Sequence, residues 1–307
     1  MNLDHLQYFL SVTRTGGFTQ AARQLHVTQP TISSAVSGLE QDLGVRLFHR
    51  GRRIELTTEG RALLEYAVQV EGLLEEVRER IGVQEPQPGD SFRFGAVDAA
   101  VIYLLPEVLR DYARTNPGVE ISIQVAPSRL LVEDLMANRS EFAVINLPLE
   151  HSRLETLSIL KDEMPLVVAA DHSFARRRTV QPHQVAGESL ILFPAESVSR
   201  TIVNQRFAEA NVTPRVVMEM GSPEAMRKLV EVGAGISFLP RLSVAESLQS
   251  GTLREVKVRG MKFYREIGLA WRQGRYLGPA VRRLVEEFLD GYGLANSWRE
   301  RTRLDPS

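Results

Sequence analysis

The chain has 307 residues, 43% of them hydrophobic and 24% charged, and a formal net charge of −1. That length exceeds one ordinary hydrophobic core and predicts two or three domains of a globular protein. The absence of cysteine excludes disulfides, thiol catalysis and cysteine metal sites, and the near-neutral charge means that any attraction for nucleic acid must come from a local patch.

Asn2 can cap a first helix carrying Leu3, Leu6, Phe9, Leu10 and Val12 and ending at Gly16-Gly17. Met1 to Phe9 shows no basic start followed by an apolar run, and no stretch approaches the roughly 20 apolar residues of a membrane span. A cytoplasmic protein is therefore expected. From Phe18 to Glu40 the chain reads as two short helices joined by a tight turn. In the first, Ala21, Ala22 and Leu25 fall at helical spacing, and paired alanines allow a neighbouring helix to approach closely. Thr28 then offers a hydroxyl N-cap, and Pro30 sits in the first turn, where a missing N–H costs nothing. Ile32, Val36, Leu39 and Leu43 make one apolar stripe, and the opposite face carries Gln29, Thr31, Ser33, Ser34 and Ser37. Short, uncharged, hydrogen-bonding side chains match base edges, because Gln can pair with adenine and hydroxyls with any base. A face that meets only water is the competing reading.

Leu47 and Phe48 look like core, and Arg46, Arg50, Arg52 and Arg53 follow one another without an intervening acid. A turn at Gly51 between short extended pieces predicts a β-hairpin wing, whose arginines can hold phosphates or enter a narrow minor groove. Thr58, Glu59 and Arg61 start a long helix reaching about Ile81. Leu63, Ala67, Val70, Leu74, Val77 and Ile81 form a heptad seam on it, with an acidic outer face. With no partner for that seam nearby in the chain, it reads as a dimerisation helix. Gly82 to Asp90, with two prolines in a polar run, reads as a linker.

Beyond Phe92, apolar strands alternate with helical stretches in a βαβαβ pattern, which implies a parallel sheet covered by helices. The run from Leu154 to His172 passes into a second sheet and a second βαβ series. A return strand near Tyr264 and a closing helix through Tyr292 follow, and the polar tail after it reads as loose. Two α/β halves joined by two crossings make a cleft, and ligands of open α/β sheets sit at the carboxyl ends of strands.

The stretch AARQLHVTQPTISSAVSGLEQDLGVRLFHR with the TTEG step resembles the winged helix-turn-helix of LysR-type transcriptional regulators. YLLPEVLRDYARTNPGVEISI, EFAVI, GISFLP and LAWRQGRYLGPAVRRLVEEF resemble the effector-binding domain of the same family. The resemblance implies an α/β chain in three parts. They are a DNA-binding domain over 1–58, a dimerisation helix and hinge over 59–90, and a periplasmic-binding-protein-like effector domain over 91–307. Within the last, subdomain I would span about 91–162 and 266–292, and subdomain II about 163–265. It further implies promoter DNA, RNA polymerase and further copies of the chain as partners, in a tetramer built as a dimer of dimers. A small-molecule effector is implied, and no cofactor or metal.

Carried over by position, the resemblance makes Gln29, Pro30, Thr31, Ser33 and Ser34 the base-reading set, with Arg53 on the wing, where the arginine run adds Arg50 and Arg52 as DNA-binding candidates. Ser34 stands where many members have Arg. The implied effector residues are Asp98, Ala99, Ala100, Ser128, Pro148, Ser199, Arg200, Thr201 and Ser222. Many relatives place a hydroxyl near Ala99 or Ala100; here none occurs and Asp98 precedes them, which argues against a simple carboxylate inducer. Asp98 is expected either to cap the following helix or to face the cleft, and Arg200 to anchor an anion by two parallel hydrogen bonds.

An α/β-cleft enzyme and a solute receptor are the alternatives. His5, His26, His49, His151, His172 and His183 are scattered without metal-ligand spacing, and no serine elbow, P-loop or dinucleotide fingerprint occurs. The leading DNA-binding module weighs against the receptor.

Overall fold

The computed structural model describes residues 2–49, 54–81 and 89–302. It divides into two compact units, Met1–Gly82 with Ala137–Arg139, and Val83–Met136 with Ser140–Ser307. Among the described residues no helix is long and apolar enough to cross a membrane.

The first unit opens with α1 (Leu3–Thr15), α2 (Phe18–Gln24) and α3 (Gln29–Leu43). The Asn2 side chain caps α1, and Thr28 caps α3 by accepting from the Thr31 N–H. Gly44 ends α3 in the left-handed region at φ +69°, where a side chain would be strained. Phe9, Val12, Ala21, Ile32, Leu39 and Leu47 are buried in one core. Leu43 lies on the same face as Ile32, Val36 and Leu39, but it is 40% exposed and is not among the residues packed in that core.

Thr57 stitches the next element in place. Its hydroxyl donates to the Arg46 carbonyl and accepts from the Gly60 N–H, so Thr57 caps α4 (Thr58–Ile81), which starts at Thr58 as expected. Gly60 is needed for close approach: a Cβ there would lie 2.1 Å from the Leu47 carbonyl oxygen. The expected seam on α4 is corrected. Ala67 is fully buried in the three-helix core, with Leu63 and Val70 packed against it. The chain therefore supplies its own partner for the first half of that stripe. Tyr66 and Leu73, outside the expected seam, are exposed at 66% and 48%, as is Val77 of that seam at 52%, and with half-buried Val70 of the same seam they keep the four-three-four spacing of a heptad seam. The expected linker falls almost wholly outside the described residues.

The second unit begins β1 (Ser91–Ala96), α5 (Asp98–Tyr103), α6 (Pro106–Thr115), β2 (Glu120–Val125), α7 (Ser128–Met136), β3 (Phe142–Leu147) and β4 (Leu154–Glu163). The stretch YLLPEVLRDYART reads in sequence as one helix from Tyr103, but the helix begins five residues earlier and a second restarts at Pro106, whose missing N–H suits a first turn. Then come β5 (Leu166–Ala169), β6 (Thr179–Val180), α8 (Pro182–Ala186), β7 (Leu190–Leu192), α9 (Val198–Glu209), β8 (Val216–Glu219), α10 (Pro223–Glu231) and β9 (Ser237–Phe238). The unit closes with α11 (Arg241–Ser250), β10 (Leu253–Val258), β11 (Tyr264–Arg272), α12 (Pro279–Asp290) and α13 (Ala295–Thr302).

One sheet runs β2-β1-β3-β11-β4, with β1 parallel to β2 and β3, and β11 antiparallel to β3 and β4. A four-stranded sheet, β6-β10-β5-β9, and the parallel pair β7-β8 form the other half, tied by a bridge between Leu190 and Ile236. Each half has its own core, around Phe94, Phe142 and Trp271 in one and Phe207, Phe238 and Phe263 in the other. The chain passes between them at β4–β5 and β10–β11, where Asp162 and Arg265 face each other in register. Both side chains are 2% exposed and their atoms meet at 3.0 Å.

Tyr112 joins α6 to α12 by donating to the Ala280 carbonyl at 2.8 Å, and burial pushes its phenol up to about 12. As far as Thr302, the tail expected to be loose is not: α13 folds against α12, and Trp298 is fully buried. Its indole covers enough apolar surface to order a polar segment.

Candidate DNA interface and effector cleft

From Phe18 to Leu39 there is no Asp or Glu. Ala21 and Ala22 are buried, which sets α2 close against its neighbours and leaves the far side of α3 free. His26 takes up a left-handed conformation in the turn between them. On α3, Gln29, Pro30, Thr31, Ser34 and Ser37 are exposed and Ser33 is half-buried. Gln29 Nε2 donates to Ser33 Oγ at 2.8 Å, and the Thr28 and Thr31 hydroxyls bond each other at 2.8 Å. This face offers amide and hydroxyl groups without charge, the chemistry of base-edge recognition.

Antiparallel contacts between Phe48 and Leu56 and between His49 and Glu55 form the base of the expected hairpin. Arg50, Arg52 and Arg53 lie outside the described residues. Arg46 differs from the expectation of an acid-free cationic run: its guanidinium pairs with Glu40 at 2.7 Å. The other Glu40 oxygen accepts from the Leu47 N–H at 2.8 Å, so this carboxylate binds α3 to the hairpin base.

In the second unit the carboxyl ends of β1, β2 and β3 carry Asp98, Ser128 and Pro148, and β7 and β8 lead to Ser199, Arg200, Thr201 and Ser222. Asp98 is the first residue of α5 and does not act as its N-cap, which is Val97. Its Oδ2 accepts from the Ser222 hydroxyl at 3.0 Å, across from one half to the other. Ala99 and Ala100 are buried, at 2% and 0% exposure, and Ala100 belongs to the core of its half. Ser128 is buried, and its hydroxyl oxygen accepts from the Asn146 N–H at 3.0 Å. Pro148 follows a cis peptide bond and is exposed.

Arg200 is not a free anion anchor. It is 9% exposed, and its Nη1 donates to the Phe193 carbonyl at 2.8 Å and to Glu219 at 2.7 Å, while Nε donates to Asn204 at 3.0 Å. A guanidinium so engaged holds its own half together. Ser199 is likewise buried, and Thr201 is exposed with its hydroxyl on the Ser197 carbonyl. Sequence reasoning missed Tyr103 and Glu224, whose phenol and carboxylate bond each other between the halves. Arg227 holds Glu224 at 2.6 Å, and that hydrogen bond raises the guanidinium above its ordinary value. A cavity of about 710 Å³ lies elsewhere, beside β10 and the crossings, under Lys257, Arg259 and Lys262. Among the described residues no group of His, Asp or Glu side chains could hold a metal ion.

Residues 3–61 match the family model for the bacterial regulatory helix-turn-helix protein of the lysR family. Residues 86–293 match the model for the LysR substrate binding domain. A probable RuBisCO transcriptional regulator of Trichormus variabilis is 28% identical over 294 residues, covering 94% of this chain and 87% of that one. The transcriptional activator CmpR of Synechocystis is 26% identical, covering 94% and 93%. Among solved structures, a variant of full-length OxyR from Pseudomonas aeruginosa matches with TM-score 0.72 and 26% identity, covering 100% of this chain and 99% of that one. Full-length CbnR in complex with its target DNA matches with TM-score 0.63 and 25% identity, covering 94% and 99%.

Proposed function

The chain belongs to the LysR family of bacterial transcriptional regulators, and on that premise we propose which of its residues read DNA, pair protomers and meet the effector. It is a DNA-binding regulator with an effector-binding domain, not an enzyme. Gln29, Pro30, Thr31, Ser33 and Ser34 at the start of α3 contact base edges, while Arg50, Arg52 and Arg53 contact phosphates. The observation that carries this assignment is the uncharged, exposed face of α3 within a run of chain that contains no acid.

Two protomers pair through the exposed stripe Tyr66, Val70, Leu73 and Val77, which would otherwise leave large apolar side chains in water. Pairs of dimers form a tetramer in the cytoplasm, and DNA-bound protein contacts RNA polymerase. The effector binds between the two halves of the second unit, near Asp98, Ser128, Pro148, Thr201 and Ser222, and changes their closure. Footprinting on the DNA beside the protein's own gene tests the reading. Two protected half-sites one helical turn or a multiple apart are expected from a paired reader; protection of a single short site, or none, would overturn it.

A further inference from the structure

Ser222 and Asp98 both stand where helices begin, and neither caps its helix. Ser222 occupies the N-cap position of α10, and serine there ordinarily accepts from a backbone N–H; here its side chain makes no capping bond. Its hydroxyl donates to Asp98 instead, and Asp98 opens α5 on the other half. At the other end of α5, Tyr103 donates to Glu224 in the first turn of α10. Glu224 is fixed from behind by Arg227, which also bonds Glu231 at 2.6 Å and Ser247 at 2.9 Å. The two contacts therefore join a braced edge of one half to the first helix of the other.

This arrangement sets terms for any molecule that enters. The acceptor at the contact is a carboxylate belonging to the protein, and Arg200, expected to anchor an anion, is engaged within its own half. A ligand that displaces Ser222 must offer Asp98 a donor; a carboxylate brought to the same place meets like charge in partly buried surroundings. Resting on the reading of this cleft as the effector site, we propose that Asp98–Ser222 and Tyr103–Glu224 form a latch holding the halves closed without ligand, released by a cationic ligand that pairs with Asp98.

The absence of native cysteine makes the test direct. Glu133→Cys on α7 and Gln205→Cys on α9, both exposed and one in each half, accept spin labels in the full-length chain, diluted with unlabelled protein. The latched background should show one short distance. Adding Ser222→Ala and Tyr103→Phe removes both donors and should move the closed-to-open ratio by roughly tenfold or more, with tryptophan emission confirming that both variants are folded. Millimolar putrescine should shift the latched distribution and leave Asp98→Asn unmoved, and succinate, of the same chain length, should not shift the latched protein. An unchanged distance in the double variant overturns the latch. A putrescine effect absent from the latched protein, or equalled by succinate, overturns its charge selection. The measurement uses neither DNA nor the natural effector, so its failure would leave the regulator reading standing.

Discussion

Replacing Arg265 by Met would isolate Asp162 where the two halves of the effector domain are joined. Both side chains are 2% exposed, and Arg265 gives the carboxylate two hydrogen bonds, of 3.1 and 3.0 Å, to the same oxygen. Removing one partner of a buried pair costs about 3–5 kcal/mol, because the other charge stays buried. Asp162 retains the backbone N–H groups of Leu242 and Arg241, which places the loss near about 3 kcal/mol, or about 6–12 °C of melting temperature for a domain of this size. Burial already pushes the Asp162 carboxyl above its ordinary 3.8, with Arg265 pulling it back. Without Arg265 it rises further. A carboxyl raised in the folded state is penalised when ionised, so the deficit is full above the folded value and disappears below the unfolded one. The variant should thus lose less stability at pH 5 than at pH 8. Adding Asp162→Asn removes the charge yet keeps an acceptor for the two backbone donors, and should recover most of the loss and its pH dependence. Trp271 and Trp298, the only tryptophans, are buried in this domain and report its unfolding. A single variant within 0.5 kcal/mol of wild type, or a double variant no better than the single, would refute the reasoning.

Leu73→Glu places a charge in the proposed pairing stripe while leaving the Ala67 core untouched, and sedimentation should show loss of the dimer with weakened DNA binding; an intact dimer would count against the stripe. Gly60→Ala forces a methyl group onto the Leu47 carbonyl, and should lower the melting temperature of the DNA-binding unit by several degrees, as about 1–3 kcal/mol of strain implies for a small domain. Arg53→Ala should weaken binding to all sequences alike and reduce the log–log salt slope by about one, whereas a loss confined to one base pair would move Arg53 from phosphate to base contact.

The DNA-binding unit was legible because its signals are local. Thr28 and Pro30 punctuate α3 whatever surrounds it, and Ile32, Val36 and Leu39 state which side is buried. The face of α4 was less so. Both Leu63-Ala67-Val70 and Tyr66-Val70-Leu73 satisfy a heptad, and only packing against α1 decides which faces the chain's own core. In the effector domain the strands announced themselves as apolar runs, but Val97 to Leu105 has no polar break between strand and helix beyond Asp98, so the start of α5 was hidden. Arg200 misled because, beyond Asn204 four residues on in the same helix, its partners Phe193 and Glu219 lie outside that helix, where no spacing rule anticipates them. Trp298 was the one available sign that the polar tail folds: it lies four residues beyond Leu294, the spacing of a buried helix face. Tyr103 and Glu224 are 121 residues apart, and their meeting follows only from the return of the chain through two crossings.

Titrating wild type and Gln29→Ala against the footprinted site and its single-base variants at fixed salt shows whether the exposed start of α3 reads bases. Base reading by Gln29 predicts a loss of about 1–3 kcal/mol on the native site, relaxed preference at one base pair, and unchanged preference at the others. Equal affinity for the native site, or a uniform loss at every sequence with the base preferences intact, would contradict it.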